Sequence, residues 1–275
     1  MFVEIFLYSA IVPALAAGAI FLFTRRAGIA VAAAFGVAWF FEMSWMWPGF
    51  PAPDSKSALG LPVLVAGVVA LVPRARMILL LIPAFGMAFF VMSTKRAVTP
   101  AIIGAVLTIA WATLAYMQAK RRPGGAVPFA WMIGFVIASG AFPMLGYAAG
   151  GQFLGSLAAA CGALMVVAAW RKTDVALAAL PLSVAFYGIL LNGHLFIYPD
   201  VLPLSSAILF GVAPLAAWIG EISWIRDRVQ KRWWIDWGVR AGAVAVIAIL
   251  GLVLAQQSIP DEDPSSTEES NPYYD

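Results

Sequence analysis

The chain has 275 residues, 63% of them hydrophobic and 11% charged, with a mean hydropathy of +0.90 and a formal net charge of +3. A soluble globular domain carries about 45–50% apolar and about 25% charged residues, so the composition excludes one, and it excludes a disordered chain as well. A single cysteine, Cys161, excludes a disulfide scaffold. The basic residues fall in loops, where membrane threading accounts for them and no nucleic acid is implied.

A membrane helix needs about 20 mostly apolar residues. Measured this way, the sequence predicts an all-α, polytopic integral membrane bundle of about ten transmembrane helices, at roughly 2–24, 27–47, 57–73, 77–94, 98–119, 127–149, 152–170, 174–195, 201–221 and 236–256. The first begins with Glu4 and has its positive charges after it, the reverse of a cleaved signal peptide, so it reads as a retained anchor. Only Arg74-Ala75-Arg76 separates 57–73 from 77–94, and nine spans remain if that pair is a re-entrant hairpin. The run 123–170 has no charge and is long enough for two helices, so it must fold back once. Gly150-Gly151 is the expected turn, because glycine takes the positive φ a reversal needs.

Residues 1–256 thus form the membrane domain. The tail 257–275, with six acids, no base and Pro260, Pro264 and Pro272, is expected to be disordered. It either stays solvated or meets a basic protein partner.

Basic residues in short loops mark the cytoplasmic side. Thirteen follow the odd-numbered helices, among them Arg25, Arg26, Lys120, Arg121, Arg122, Arg171 and Lys172, whereas only Lys56, Lys95 and Arg96 follow the even ones. The expected setting is a bacterial-type inner membrane, with both termini outside.

The central thirds of the ten spans contain no Asp, Glu, Lys, Arg or His. That argues against a proton pump or a carboxylate-coupled exchanger, which need an ionisable relay in the membrane. Polar residues collect instead near the outer ends: Glu42, Lys95, Arg96, Asn192, His194 and Asp200. They predict an outward-facing vestibule for a small polar or anionic solute, although solvated helix ends would show the same residues. Lys95-Arg96 opposes the threading rule and is expected to meet Glu42, Asp54, Asp200 or a bound anion. Glu42 lies between Trp39 and Trp45, which suits either cation recognition or an interfacial aromatic belt.

The stretch 221–238 interleaves Arg226, Arg228, Lys231 and Arg232 with Trp224, Trp233, Trp234 and Trp237. It is expected to lie along the cytoplasmic surface and contact anionic lipids, through Arg226, Arg228, Lys231, Arg232, Trp233 and Trp234 in particular. Prolines at mid-depth, Pro13, Pro83, Pro143, Pro181 and Pro214, predict kinked or broken helices.

No Walker A loop, HExxH, GxSxG or CxxC is present, and with one histidine no metal site, cofactor or catalytic set is predicted. The tracts IPAFGMAFFVMSTKRAVTPAIIGAVL (82–107) and VAPLAAWIGEISW (212–224) followed by GVRAGAVAVIAILGLVLAQ (238–256) are similar to the proline, polar turn and Gly-Ala helix pattern of the drug/metabolite transporter superfamily. That resemblance implies ten helices in two groups of five and an exporter. It also implies termini in the cytoplasm, opposite to the threading the charges give, and the chain is not assigned to that family. The leading expectation is a permease-like protein for a small solute. The alternatives are a non-catalytic membrane scaffold or assembly subunit, and a lipid-processing enzyme at the outer interface.

Overall fold

The computed structural model describes residues 2–44, 46, 55–71, 98–194, 202–229 and 232–258. Every regular element among them is helical. Helix α1 runs Phe2–Phe6, widens into a π-helical stretch at Leu7–Ile11 and continues as Val12–Thr24. Then come α2 (Ala27–Glu42), α3 (Ser55–Val69), α4 (Val98–Arg121), α5 (Ala126–Met144) and α6 (Ala148–Arg171). Helix α7 opens as a 3-10 turn, Ala176–Ala178, and runs on as Ala179–Asn192. Helix α8 is α-helical over Leu204–Val212 and 3-10 over Ala213–Glu221, and the short α9 (Ser223–Val229) leads to α10 (Trp233–Gln256).

Among the described residues, six helices are long and apolar enough to cross a membrane: α1, α4, α5, α6, α8 and α10. The molecule is a multi-pass helical membrane bundle. Three shorter apolar helices, α2, α3 and α7, accompany the six among the described residues. The predicted span 77–94 lies outside the described residues, as does the acidic tail beyond Ser258.

The α5–α6 hairpin is the centre of the packing. Helix α6 lies against α1 and α2, α5 lies against α10, and α7 fills the space between α2, α3 and α4. Nearly the whole of α7 is buried, from Ala179 to Leu190. A helix shielded by neighbours on all sides does not need the length that lipid contact demands. Small residues let α2 and α3 approach closely. A Cβ at Gly28 would collide with Ala70, and one at Gly67 would collide with Ala32, so α2 and α3 touch almost backbone to backbone.

The reversal between α5 and α6 differs from the sequence expectation. The turn is Leu145-Gly146-Tyr147, with Gly146 at φ 79°, and Gly150-Gly151 lies inside the first turn of α6. Both glycines are there for contact: a Cβ at Gly150 would strike the Tyr147 ring, and one at Gly151 would sit 2.5 Å from Pro143 Cγ. Counting glycines cannot separate a turn from a tight crossing, and the doubled glycine drew the prediction four residues too far.

At one end of the bundle the polar links join the α1–α2, α4–α5 and α6–α7 turns. Arg171 Nη1 donates to Leu22 O at 3.3 Å, Lys120 Nζ to Asp174 Oδ2 at 2.6 Å and the Gly124 N–H to Thr173 O at 3.3 Å. Arg25, in the left-handed conformation (φ 57°), closes α1 by donating its N–H to Phe21 O. We call this the basic end.

Candidate functional site

Of the polar group expected at the outer end, Glu42, Asn192 and His194 are described, and they stand at the end opposite the basic one. Lys56 Nζ donates to Glu42 Oε1 at 3.2 Å, and Trp39 Nε1 donates to Lys56 O at the same distance, tying the end of α2 to the start of α3. Asn192, fully buried at the end of α7, donates through Nδ2 to Tyr147 Oη at 2.7 Å. His194 Nδ1 lies 2.8 Å from Leu202 O. A carbonyl only accepts, so Nδ1 carries a proton in this contact. Two pairs are therefore formed, Glu42 with Lys56 and Asn192 with Tyr147. Lys95, Arg96 and Asp200 lie outside the described residues, as does Asp54.

Sequence reading named Asn192 but not its partner Tyr147, which is 45 residues away and looks like an ordinary interfacial tyrosine.

The stretch 221–238 is divided. Helix α9 carries Arg226 and Arg228, and Trp233 and Trp234 already belong to the first turn of the spanning helix α10, preceded by Arg232. Trp224, Trp233 and Trp234 are exposed. Guanidinium groups lie over two of the indoles, Arg228 over Trp224 at 4.6 Å and Arg232 over Trp234 at 5.9 Å. Lys231 lies outside the described residues.

The most strongly organised polar cluster stands at the basic end and went unnoticed in the sequence. Arg240, two turns into α10, is 0% exposed. It donates through Nε to Asp236 Oδ1 at 2.9 Å, through Nη1 to Ala217 O at 2.9 Å and through Nη2 to Glu221 Oε1 at 2.8 Å. Arg122 Nε donates to the same Glu221 oxygen at 2.7 Å. Gly220 makes room, since a Cβ there would lie 2.5 Å from the Arg240 guanidinium. Two arginines and two carboxylates thus bind α4, α8 and α10 together. The available signal was Asp236 and Arg240, an acid–base pair at i, i+4 within a span.

Helix α8 changes from α to 3-10 at Ala213, just before Pro214. Proline has no N–H to give. Where the register tightens from i−4 to i−3, the N–H of residue 215 turns to the carbonyl of 212, and Gly211 O is left without a backbone donor. Tyr187 on α7 supplies one, its hydroxyl donating to Gly211 O at 3.2 Å. Around it stands a buried aromatic group in which Trp111 lies 6.1 Å from both Trp131 and Phe186, between ring centroids.

Several buried polar atoms have no partner among the described residues, including Ser206 Oγ, Asn192 Oδ1, Trp111 Nε1 and Gln118 Nε2. Trp111 and Gln118 share the buried face of α4, about 10 Å apart along its axis at 1.5 Å per residue. Ser206 and Asn192 stand at the end opposite the basic one. Elsewhere a groove of about 840 Å³ opens between α1, α5 and α6, lined mainly by small apolar residues together with Ser9, Ser139 and Gln152. Among the described residues no three His, Cys, Asp or Glu side chains stand together as a metal site.

No family model, no curated protein and no solved structure matches this chain.

Proposed function

We propose that this protein is an inner-membrane permease for a small, uncharged, hydrogen-bonding solute. The observation that carries the reading is a set of buried polar atoms unpartnered among the described residues and spread along the bundle: Ser206 Oγ, Asn192 Oδ1, Trp111 Nε1 and Gln118 Nε2. Such atoms are costly to bury unsatisfied, at about 1–3 kcal/mol each. A solute or water passing between α4, α7 and α8 would satisfy them in turn. They are neutral donors and acceptors, which suits a neutral solute. The broken helix α8 beside them supports the reading, because discontinuous helices are a recurring way to build transport sites.

The ten-span count and the orientation belong to this proposal, with the basic end in the cytoplasm and both termini outside. Glu42, His194 and Asn192 would then stand at the outer mouth, along with Lys95, Arg96 and Asp200.

The test is uptake into vesicles reconstituted with the purified chain. Glycerol, urea and a neutral amino acid are compared with protein-free vesicles. At least one should enter faster, and Gln118→Leu and Asn192→Leu should each slow that uptake tenfold or more while Tm is kept. No acceleration for any of these solutes would overturn the reading.

A scaffold is the second reading, favoured by the open, small-residue groove between α1, α5 and α6. A stoichiometric second protein retained through purification would support it.

A further inference from the structure

At the basic end, a pocket of about 530 Å³ is lined by Arg121, Arg122, Glu221, Arg226 and Asp227. It is assembled from segments about a hundred residues apart in sequence, the ends of α4 and α8 and the body of α9. We infer that this pocket is a binding site for a phosphate group.

The charges at the pocket are unequal. Glu221 is engaged by two guanidiniums at once, those of Arg122 and Arg240. Asp236 is taken by Arg240 as well. Asp227 is 75% exposed and 3.7 Å from Arg226 Nε, so water screens it and it binds Arg226 weakly. Arg121 meets no carboxylate among the described residues. Its guanidinium lies over the Trp218 ring at 5.1 Å from the centroid, a cation–π contact that leaves its charge unneutralised by any described acid. Arg121 and Arg226 thus supply two guanidiniums whose N–H groups are not used up by acids. A tetrahedral oxyanion is the ligand that such a fork pair holds best, through bidentate, charge-assisted hydrogen bonds.

The brace beneath the pocket fixes it. Arg240 is buried with each of its three guanidinium nitrogens bonded, so Glu221 is held in place and Arg122 is bonded to it in turn. The ligand does not have to order the whole site.

Two sources can bring this group, the headgroup of an anionic phospholipid or a phosphate compound in solution. The exposed indoles of Trp224, Trp233 and Trp234 mark headgroup level nearby, where basic pockets meet lipid phosphates.

The experiment uses the full chain in a neutral detergent. Tm is read with inorganic phosphate against chloride at equal ionic strength, and with added phosphatidylglycerol against phosphatidylcholine. The variants are Arg121→Gln with Arg226→Gln, and, as a control at the same end, Arg25→Gln with Arg26→Gln. Bound phosphate should raise Tm by about 2–4 °C, and the rise should vanish in the first variant and persist in the control.

A rise with both ligands, or with only one, supports the site, and the pattern names the source: phosphatidylglycerol alone means a lipid headgroup, and inorganic phosphate alone means a soluble compound. Arg121→Lys keeps the charge but loses the fork, and should retain less than half of the shift. No rise with either ligand, or an equal loss in the control variant, overturns the inference. Neither result depends on whether the protein transports a solute.

Discussion

Arg240 Nη2 and Glu221 Oε1 meet at 2.8 Å between α10 and α8, with the arginine wholly out of solvent and the glutamate side chain 11% exposed. Replacing one member of a buried ion pair strands the other, at a cost of about 3–5 kcal/mol, whereas replacing both with apolar groups is often far milder. Glu221→Leu and Arg240→Met should therefore each lower Tm strongly. The double variant should be more stable than either single one, because Asp236 and Arg122 lie near enough to the edge to reach water. A thermal double-mutant cycle in detergent measures this. Additive losses would mean that the two side chains act independently.

The glycines of the α5–α6 hairpin give a second test. A Cβ at Gly151 would press on Pro143 and on Ser139 O, but one at Gly140 would meet nothing within 4 Å. Gly151→Ala should destabilise, by about 1–3 kcal/mol, as overpacking does. Gly140→Ala, in the body of α5, should be neutral or gain up to about 1 kcal/mol in helix propensity. Comparing the Tm of the two variants separates a packing glycine from an incidental one.

Threading is testable with two added cysteines in a Cys161→Ala background. Pro123, between α4 and α5, belongs to the basic end, and Ser265 belongs to the tail. With the proposed orientation, an impermeant thiol reagent applied to intact cells labels Ser265→Cys and leaves Pro123→Cys unlabelled. The opposite pattern would invert the protein in the membrane.

How far the sequence could be read depended on the range of the interaction. Helix positions follow from apolar run lengths, and the gathering of Arg25, Lys120 and Arg171 at one end follows from their spacing by whole spans. Both are local properties. The turn at Gly146 was misplaced, because Gly150 and Gly151 carry the same letter for a different reason. Arg122 and Glu221, 99 residues apart, look like two loop charges until α4 and α8 are side by side. Tyr187 gave no signal as the partner of a carbonyl that Pro214 sets free, for the same cause. Proline announces that a helix will break, but it does not say which neighbour repairs the break.

That repair yields the last prediction. Tyr187 Oη donates to Gly211 O at 3.2 Å, and Tyr187 itself is buried against Trp111 and Phe186. Tyr187→Phe keeps the ring and removes the donor, leaving a buried carbonyl unsatisfied at a cost of about 1–3 kcal/mol. Pro214→Ala restores a backbone N–H at the break, so the helix regains its own donor for this stretch of carbonyls. Tyr187→Phe should then cost much less in the Pro214→Ala background than in the native one. The comparison is a thermal cycle over four proteins, and the interaction should stand out because the two residues serve one short run of backbone. Equal costs in the two backgrounds would show that the tyrosine hydroxyl does not substitute for the missing proline N–H. Uptake adds a further reading: if the break in α8 serves transport, Pro214→Ala should slow solute entry even as it stabilises the helix.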